Sequence, residues 1–366
     1  MAVPVRHVAV IDIGKTHAKL ALVDLEARAE IAVCKQQNTV AADGDYPHFP
    51  VEPLWQFLVE ALAELGKTHP IDAISVTTHG ATAALLDESG ELALPILDYE
   101  YAGPDALDDE YRAVRPPFAE TGSPRLPAGL NLGAQLFWQQ RIFPERFARV
   151  RHILTYPQYW SYRLTGVLAT EVTSLGCHTD LWNPAIGDFS SMVRALGWTE
   201  LFAPVRLAGD RLGTMRPELA AELGLSPQTP VFCGVHDSNA SLLPHLLTRQ
   251  PPFAVVSTGT WVISMSIGGS SPALDPDRDT LINVNAFGQP VPSARLMGGR
   301  EFTQATAGLP DGHSEQDLAD VLGQPILLLP SLTPDRVRSP MPPRNGCRSS
   351  RTNPADSVSP CPFTSR

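Results

Sequence analysis

Asp237, in "GVHDSNAS", follows the apolar run Val231–Val235 at what reads as a strand-to-helix junction. A carboxylate held there can accept a proton from a hydroxyl during phosphoryl transfer. The competing reading is that Asp237 only caps the helix that follows. Two other stretches combine glycine with hydroxyl side chains. Asp12-Ile13-Gly14-Lys15-Thr16 lies in "AVIDIGKTHAKLALVD", and Ser257-Thr258-Gly259-Thr260 lies in "STGTW". Gly-Lys-Thr also ends the phosphate-cradling P-loop, but that loop needs a glycine at position 9, where Ala9 stands, and a helix afterwards, where β-rich sequence stands. A hairpin turn can still hold phosphate, because Gly14 lets backbone approach closely while Thr16 brings a hydroxyl and Lys15 a charge. Asp12 at the strand end suits Mg²⁺ bound through water. Taken alone, either turn reads equally as an ordinary hairpin.

The elements that must position these groups follow from periodicity. "HVAVIDIGKTHAKLALVDL" is two β-rich runs around a Gly turn, hence a hairpin. "PFAVVSTGTWVISMSIG" repeats that plan late in the chain. Two such hairpins in two halves imply an α/β protein of two similar domains facing a cleft. "VEPLWQFLVEALAELGK" places Leu54, Phe57, Leu58, Leu62 and Leu65 at helical spacing. "IDAISVTTHGATAALLDESG" reads as strand, polar Thr-Thr-His-Gly break, strand, and "HILTY" as a short strand. The proline-rich stretch 103–130 reads as a loop or lid.

At these residues the sequence resembles the FGGY family of carbohydrate kinases, within the actin-like ATPase superfamily. Asp12-Ile-Gly-Lys-Thr16 is similar to the family's first phosphate motif, Gly234-Val-His-Asp237 with Ala240 to its catalytic-Asp motif, and Thr258-Gly259-Thr260 to its second phosphate motif. "YWSYRLTG" and "TEVTSLGCHTDLWN" resemble its N-terminal domain core, and the likeness runs over about residues 6–332. The resemblance implies two ribonuclease H-like domains, an N-terminal one over 1–242 and a partial C-terminal one over 243–334. It implies that Asp237 deprotonates a sugar hydroxyl and that ATP with Mg²⁺ supplies the γ-phosphate, held by the two turns. It carries Gly299, in Gly298-Gly299-Arg300-Glu301, over as a nucleotide neighbour. His79, Gly80, Glu100, Tyr101 and His236 become sugar contacts. "NVNAFGQPVPSARLMGGREF" resembles a branch near the kinases for rhamnulose and fuculose, which favours a ketose, a deoxyketose or a related polyol.

Composition narrows the partners. The chain has 366 residues, 43% hydrophobic and 18% charged, with a net charge of −11. That acidity opposes a general nucleic-acid role. No apolar run approaches the roughly 18 residues of a membrane span. The N-terminus has no signal-peptide pattern, and five scattered cysteines form no CxxC. A cytoplasmic enzyme with a small-molecule sugar and ATP as partners is expected, with a homodimer as an option. The last 32 residues, 335–366, break this pattern: they hold six Arg and two Asp and no Leu, Ile, Tyr or Trp, against −15 for the preceding 334. An aberrant, disordered tail is expected there, and with it an incomplete second domain. A frameshift near codons 330–340 is the expected origin, since freely chosen codons permit a displaced frame of globular composition, and a genuine divergent tail is the alternative. A catalytically impaired sugar- or nucleotide-binding remnant is the alternative function, and a chaperone-type ATPase of the same superfamily the third.

Overall fold

The computed structural model describes residues 5–258, 262–269, 274–296, 298–308, 312 and 314–324. The chain opens with the expected hairpin. Strands β1 (His7–Ile13) and β2 (His17–Asp24) pair antiparallel, and β3 (Ala29–Gln37) extends them as a meander. Alternation puts Ala9, Ile11 and Ile13 inward, and all three are fully buried. Helix α1 (Val51–Thr68) covers that face with Leu54, Leu58, Ala61, Leu62 and Leu65. Phe57, expected on the same stripe, is only partly buried against it.

Strand β4 (Ala73–Thr78) lies parallel to β1 and becomes the centre of a seven-stranded sheet. Strands β5 (Ala83–Leu86), β6 (Leu92–Leu94) and β7 (His152–Thr155) form a separate three-stranded sheet, ordered β6-β5-β7. The proline-rich stretch is less loop-like than its composition predicts. It contains a 3₁₀ turn at Gly103–Leu107 and short helices at Asp108–Val114 and Phe118–Thr121. Prolines at the first turn or just before it leave these helices unbroken, because the missing N–H there has no helical acceptor. Helices α2 (Leu132–Ile142), α3 (Tyr156–Thr165) and α4 (Val172–Leu175) follow.

The large sheet is completed by β8 (Arg211–Thr214), β9 (Pro230–Phe232) and β10 (Val235–His236). Its order is β8-β9-β4-β1-β2-β3, with β10 also paired to β4. The parallel strands end at one edge. Asp12 stands opposite Thr77 and Thr77 opposite Val235; one step on, Ile13 stands opposite Thr78 and Thr78 opposite His236. The residues that leave that edge next are His79 and Asp237. Ligands of α/β sheets gather beyond the carboxyl ends of such strands.

Helix α5 (Asp237–Thr248) carries the chain out of this sheet into a second one. There β11 (Phe253–Thr258), β12 (Val262–Ile267), β13 (Thr280–Val284) and β14 (Pro290–Leu296) form an antiparallel sheet ordered β11-β12-β14-β13. The late hairpin is therefore present as β11 and β12, while Gly259 and Thr260 at its turn lie outside the described residues. Leu242 of α5 packs in the second core with Met265, Ile267 and Val291. The domain boundary expected after position 242 thus falls within α5. Helix α6 (Gly298–Thr306) follows β14. The tail 335–366 lies outside the described residues.

Candidate active site in the cleft between the two sheets

A cavity of about 330 Å³ lies between the sheets. The first lobe lines it with His79, Gly80, Tyr99, Cys177 and His178, and the second with Ser257, Asn283 and Arg295. His236 and Asp237, at the start of α5, lie on its wall.

Local backbone chemistry aims this pair. Between β9 and β10 the strand breaks at Cys233 and Gly234, where φ is +95° and a Cβ would meet the Val76 carbonyl at 2.9 Å. Only glycine accepts both conditions without strain. Gln158 of α3 donates through Nε2 to the carbonyls of Cys233 (3.0 Å) and Gly234 (3.1 Å), and the Ser161 hydroxyl donates to Cys233 (3.1 Å). A second strut comes from α4. The buried Glu171 carboxylate accepts from Thr173 N (2.9 Å) and from the Thr173 hydroxyl (2.5 Å), and Thr173 Oγ1 accepts from His236 N (3.1 Å). Burial raises the Glu171 carboxyl to about 7 against these donors.

Asp237 is the first residue of α5, and its Oδ1 accepts from Ser238 N at 2.5 Å. Its carboxylate therefore sits at the electropositive end of a twelve-residue helix. His236 Nε2 lies 3.2 Å from Asp237 Oδ1 and 4.0 Å from Cys177 Sγ. Burial disfavours charge on His236, but Cys177 and Asp237 outweigh it and raise the imidazole to about 9. Burial likewise opposes a Cys177 thiolate, yet His178 and His236 hold the thiol well below its usual range. His79 behaves oppositely. Burial among Phe49, Tyr99 and Tyr156, with ring centroids 4.8–5.2 Å away, lowers it to about 4. Its Nδ1–H donates to the Gly80 carbonyl at 3.0 Å.

The first hairpin presents Asp12 to the same region. Burial raises its carboxyl, and the nearby Asp237 raises it further. Gly14 N donates to His17 O (2.9 Å), and Asn38 ties the loop through Nδ2 to Gly14 O (2.8 Å) and through its own N–H to Thr16 O (2.9 Å). The Lys15 side chain is 21% exposed and is held by partners from elsewhere in the first lobe. Its ammonium is hydrogen-bonded to Asp98, lies 3.7 Å from Glu100 Oε2, and stands over the rings of Phe49 (5.1 Å) and Tyr99 (4.8 Å).

Of the expected sugar contacts, His79, Gly80, His236 and Asp237 meet at the cavity. Glu100 and Tyr101 do not. The Glu100 side chain is 63% exposed, and Tyr101 packs edge-on to Trp138. Tyr99 takes the place at the wall. The reason is local: Asp98 N is bonded to Pro47 O and Tyr101 N to Asp98 O, a turn that points Tyr99 inward. Gly299 lies in the first turn of α6 and does not line the cavity. Sequence reasoning missed Cys177, His178, Asn283 and Arg295 as wall residues. The first two lie in "TSLGCHTD", where His178 and Asp180 take positive φ (43° and 64°), a conformation disfavoured for side-chain-bearing residues that no pattern in the sequence announces.

The model for the N-terminal domain of the FGGY family of carbohydrate kinases matches residues 7–244, and that for the carbohydrate kinase FGGY C-terminal domain matches residues 250–356. The chain belongs to the FGGY family of carbohydrate kinases. The C-terminal match runs on beyond Leu332, where the likeness was expected to stop. Among similar proteins, L-fuculokinase of Escherichia coli strain K12 is 30% identical over 212 residues, 56% of this chain and 43% of that one. Rhamnulokinase of Yersinia pestis (strain Angola) is 26% identical over 236 residues, 63% of this chain and 47% of its own. The crystal structure of a carbohydrate kinase from Novosphingobium aromaticivorans is 41% identical with a TM-score of 0.77, covering 82% of this chain and 65% of that one. This FGGY chain thus spans about half the length of the curated relatives it matches. Among its described residues no helix is long and apolar enough to cross a membrane.

Proposed function

We propose that this FGGY protein phosphorylates a hydroxyl of a ketose, deoxyketose or related polyol at the expense of ATP. The observation that carries this reading is Asp237, at the head of α5, on the wall of a cavity shared by both lobes. Asp237 Oδ1 is committed to Ser238 N, which leaves Oδ2 to take the proton of the attacking hydroxyl. The imidazolium of His236 steadies the carboxylate before transfer. His79, Gly80 and Tyr99 bind the sugar, and closure of the lobes excludes water as a competing acceptor.

The two hairpins are assigned to the phosphates, with Gly14 and Thr16 in one and Thr258 in the other. Gly259 and Thr260 of that second turn, and Gly299 beyond it, are assigned to the nucleotide on sequence grounds. Lys15 is assigned to the sugar side, through Asp98 and Tyr99. Mg²⁺ fits the donor set. Burial and then the neighbouring Asp237 raise the Asp12 carboxyl, a repulsion that a divalent cation offsets, and carboxylate oxygens suit a hard cation. Among the described residues no group of three or more His, Cys, Asp or Glu could hold a metal, so Asp12 would hold the ion through water and the nucleotide's phosphates. Bound there, the ion neutralises charge on the transferring phosphoryl group.

A coupled assay of ADP release across L-fuculose, L-rhamnulose, L-xylulose and simple polyols tests the reading, run beside sugar-induced thermal shifts. ATP-dependent turnover of at least one sugar is expected. Shifts without turnover would identify a binding remnant, and hydrolysis stimulated by peptide instead of sugar a chaperone-type ATPase.

A further inference from the structure

Asn283 belongs to the second lobe, yet its strand is fastened to the first. On one side of it Ile282 N donates to Gly122 O at 2.9 Å, and on the other Val284 is fully buried among Val172 and Leu175. Asn283 is therefore held at the cavity wall by both neighbours.

The orientation of its amide can be worked out from donors and acceptors. The Ser293 hydroxyl donates to the Val291 carbonyl at 2.9 Å, and a carbonyl can only accept. Ser293 Oγ is left with lone pairs alone. The Asn283 atom 3.0 Å from it must then be Nδ2, and Oδ1 points elsewhere. Among the described residues Asn283 Oδ1 is buried without a partner. His79 follows the same logic. Its Nδ1 carries the proton, because it faces the Gly80 carbonyl, so Nε2 is a bare acceptor, also buried without a partner. His79 and Asn283 line the same cavity from opposite lobes, and each carries one buried, unsatisfied acceptor. Neither can be satisfied by a carbonyl, an ether or a carboxylate; both need a donor.

We propose that Asn283 is a specificity-determining residue whose Oδ1 accepts a hydrogen bond from a substrate hydroxyl, so that the sugar bridges the lobes between Asn283 and His79. This rests on the kinase reading for the class of ligand. A substrate lacking the hydroxyl that Asn283 reads leaves a buried acceptor unpaired, which is the strong form of discrimination open to a polar site. Ser293 is a positioning residue: it stops the amide from turning its NH₂ toward the ligand.

The test uses the full chain with L-fuculose, L-rhamnulose, L-xylulose and monodeoxy analogues of whichever binds best. Calorimetric binding is measured without nucleotide, and steady-state kinetics with it. Asn283→Leu is expected to raise the Kd and KM for the sugar on the order of tenfold. The contact persists in the transition state, so kcat and the KM for ATP should stay within about twofold. One deoxy analogue should bind wild type and Asn283→Leu alike, and Ser293→Ala should narrow the gap between that analogue and the parent sugar. Sugar binding by Asn283→Leu within twofold of wild type, at an unchanged melting temperature, overturns the inference and leaves the kinase reading standing. If the variant fails to fold, wild type alone decides: analogues that all bind as well as the parent overturn it. A wild type that binds and phosphorylates none of the sugars brings down the kinase reading, and this inference with it.

Discussion

Gly80 is the tightest point of the site, and Gly80→Ala turns that into a measurement. A Cβ built there lies 2.7 Å from His236 Nε2 and 3.0 Å from Cδ2. Ordinary contact begins near 3.4 Å, so the imidazole must retreat by about 0.7 Å. It has little room to do so, being only 6% exposed. Its backbone is tied to Thr173, and Cys177 is 4.0 Å from the ring. A retreat of that size away from Asp237 opens the 3.2 Å contact to Oδ1 beyond hydrogen-bond range. Two costs are expected. Overpacking should lower stability by about 1–3 kcal/mol. Losing a charge-assisted contact to the proposed base should lower kcat/KM by roughly 10–100-fold, which corresponds to about 1.5–3 kcal/mol. Urea denaturation reads the first, and coupled ADP release on the best ketose reads the second. Gly209→Ala is the control, since nothing lies within 4 Å of its Cβ. Gly80→Ala with kcat/KM within threefold of wild type refutes the steric argument, whatever its stability.

Asp237→Asn should lower turnover by roughly 10²–10⁴-fold while the sugar-induced thermal shift persists; turnover like wild type would remove Asp237 from the base role. His79 links stability to acid. Its folded-state value, about 4, lies below the unfolded 6.5, so the unfolded chain binds the extra proton. The stability it contributes is present above pH 6.5 and is lost as pH falls through 4, and His79→Phe should flatten that part of a urea-midpoint profile between pH 6.5 and 4.5. An unaltered slope would show that His79 is not held neutral. Lys15→Met strips the cation from Asp98, whose side chain is 10% exposed, and should destabilise the chain by about 1–3 kcal/mol. Its kinetic effect should fall on the KM for sugar; a rise confined to the KM for ATP would return Lys15 to the phosphate side.

The parts of the fold that could be read in the sequence are those governed by short-range periodicity. The β1–β2 hairpin, α1 and the junction at Asp237 each express a pattern within about twenty residues. The cavity wall does not. His178 arrives there through a loop with two residues at positive φ, pinned by Leu130 O on Nδ1 at 2.7 Å and by Asn131 Nδ2 on its carbonyl at 2.8 Å. None of that is periodic. Tyr99 and Tyr101 are two residues apart and equally plausible by type; only the turn at Asp98 decides which faces inward. Asn283 comes from a strand whose anchor, Gly122, lies 160 positions earlier. Lys15 sits in a motif that points toward phosphate, and a partner 83 residues away draws it elsewhere.

Helix α5 begins at the first sheet with Asp237 and ends, past Leu242 and Pro244, in the core of the second. The two lobes are therefore not modules joined by a linker. A chimera that takes its first lobe from this chain and its second from another kinase cannot be cut at 242/243 without dividing one helix between two parents. The cut would also graft a foreign hydrophobic face onto the segment that orients the carboxylate. The joint that respects the architecture lies after Thr248, in the short stretch before β11 begins at Phe253. There the donor of the base keeps its whole lever, and the incoming sheet must supply a socket that fits Leu242 and Leu246.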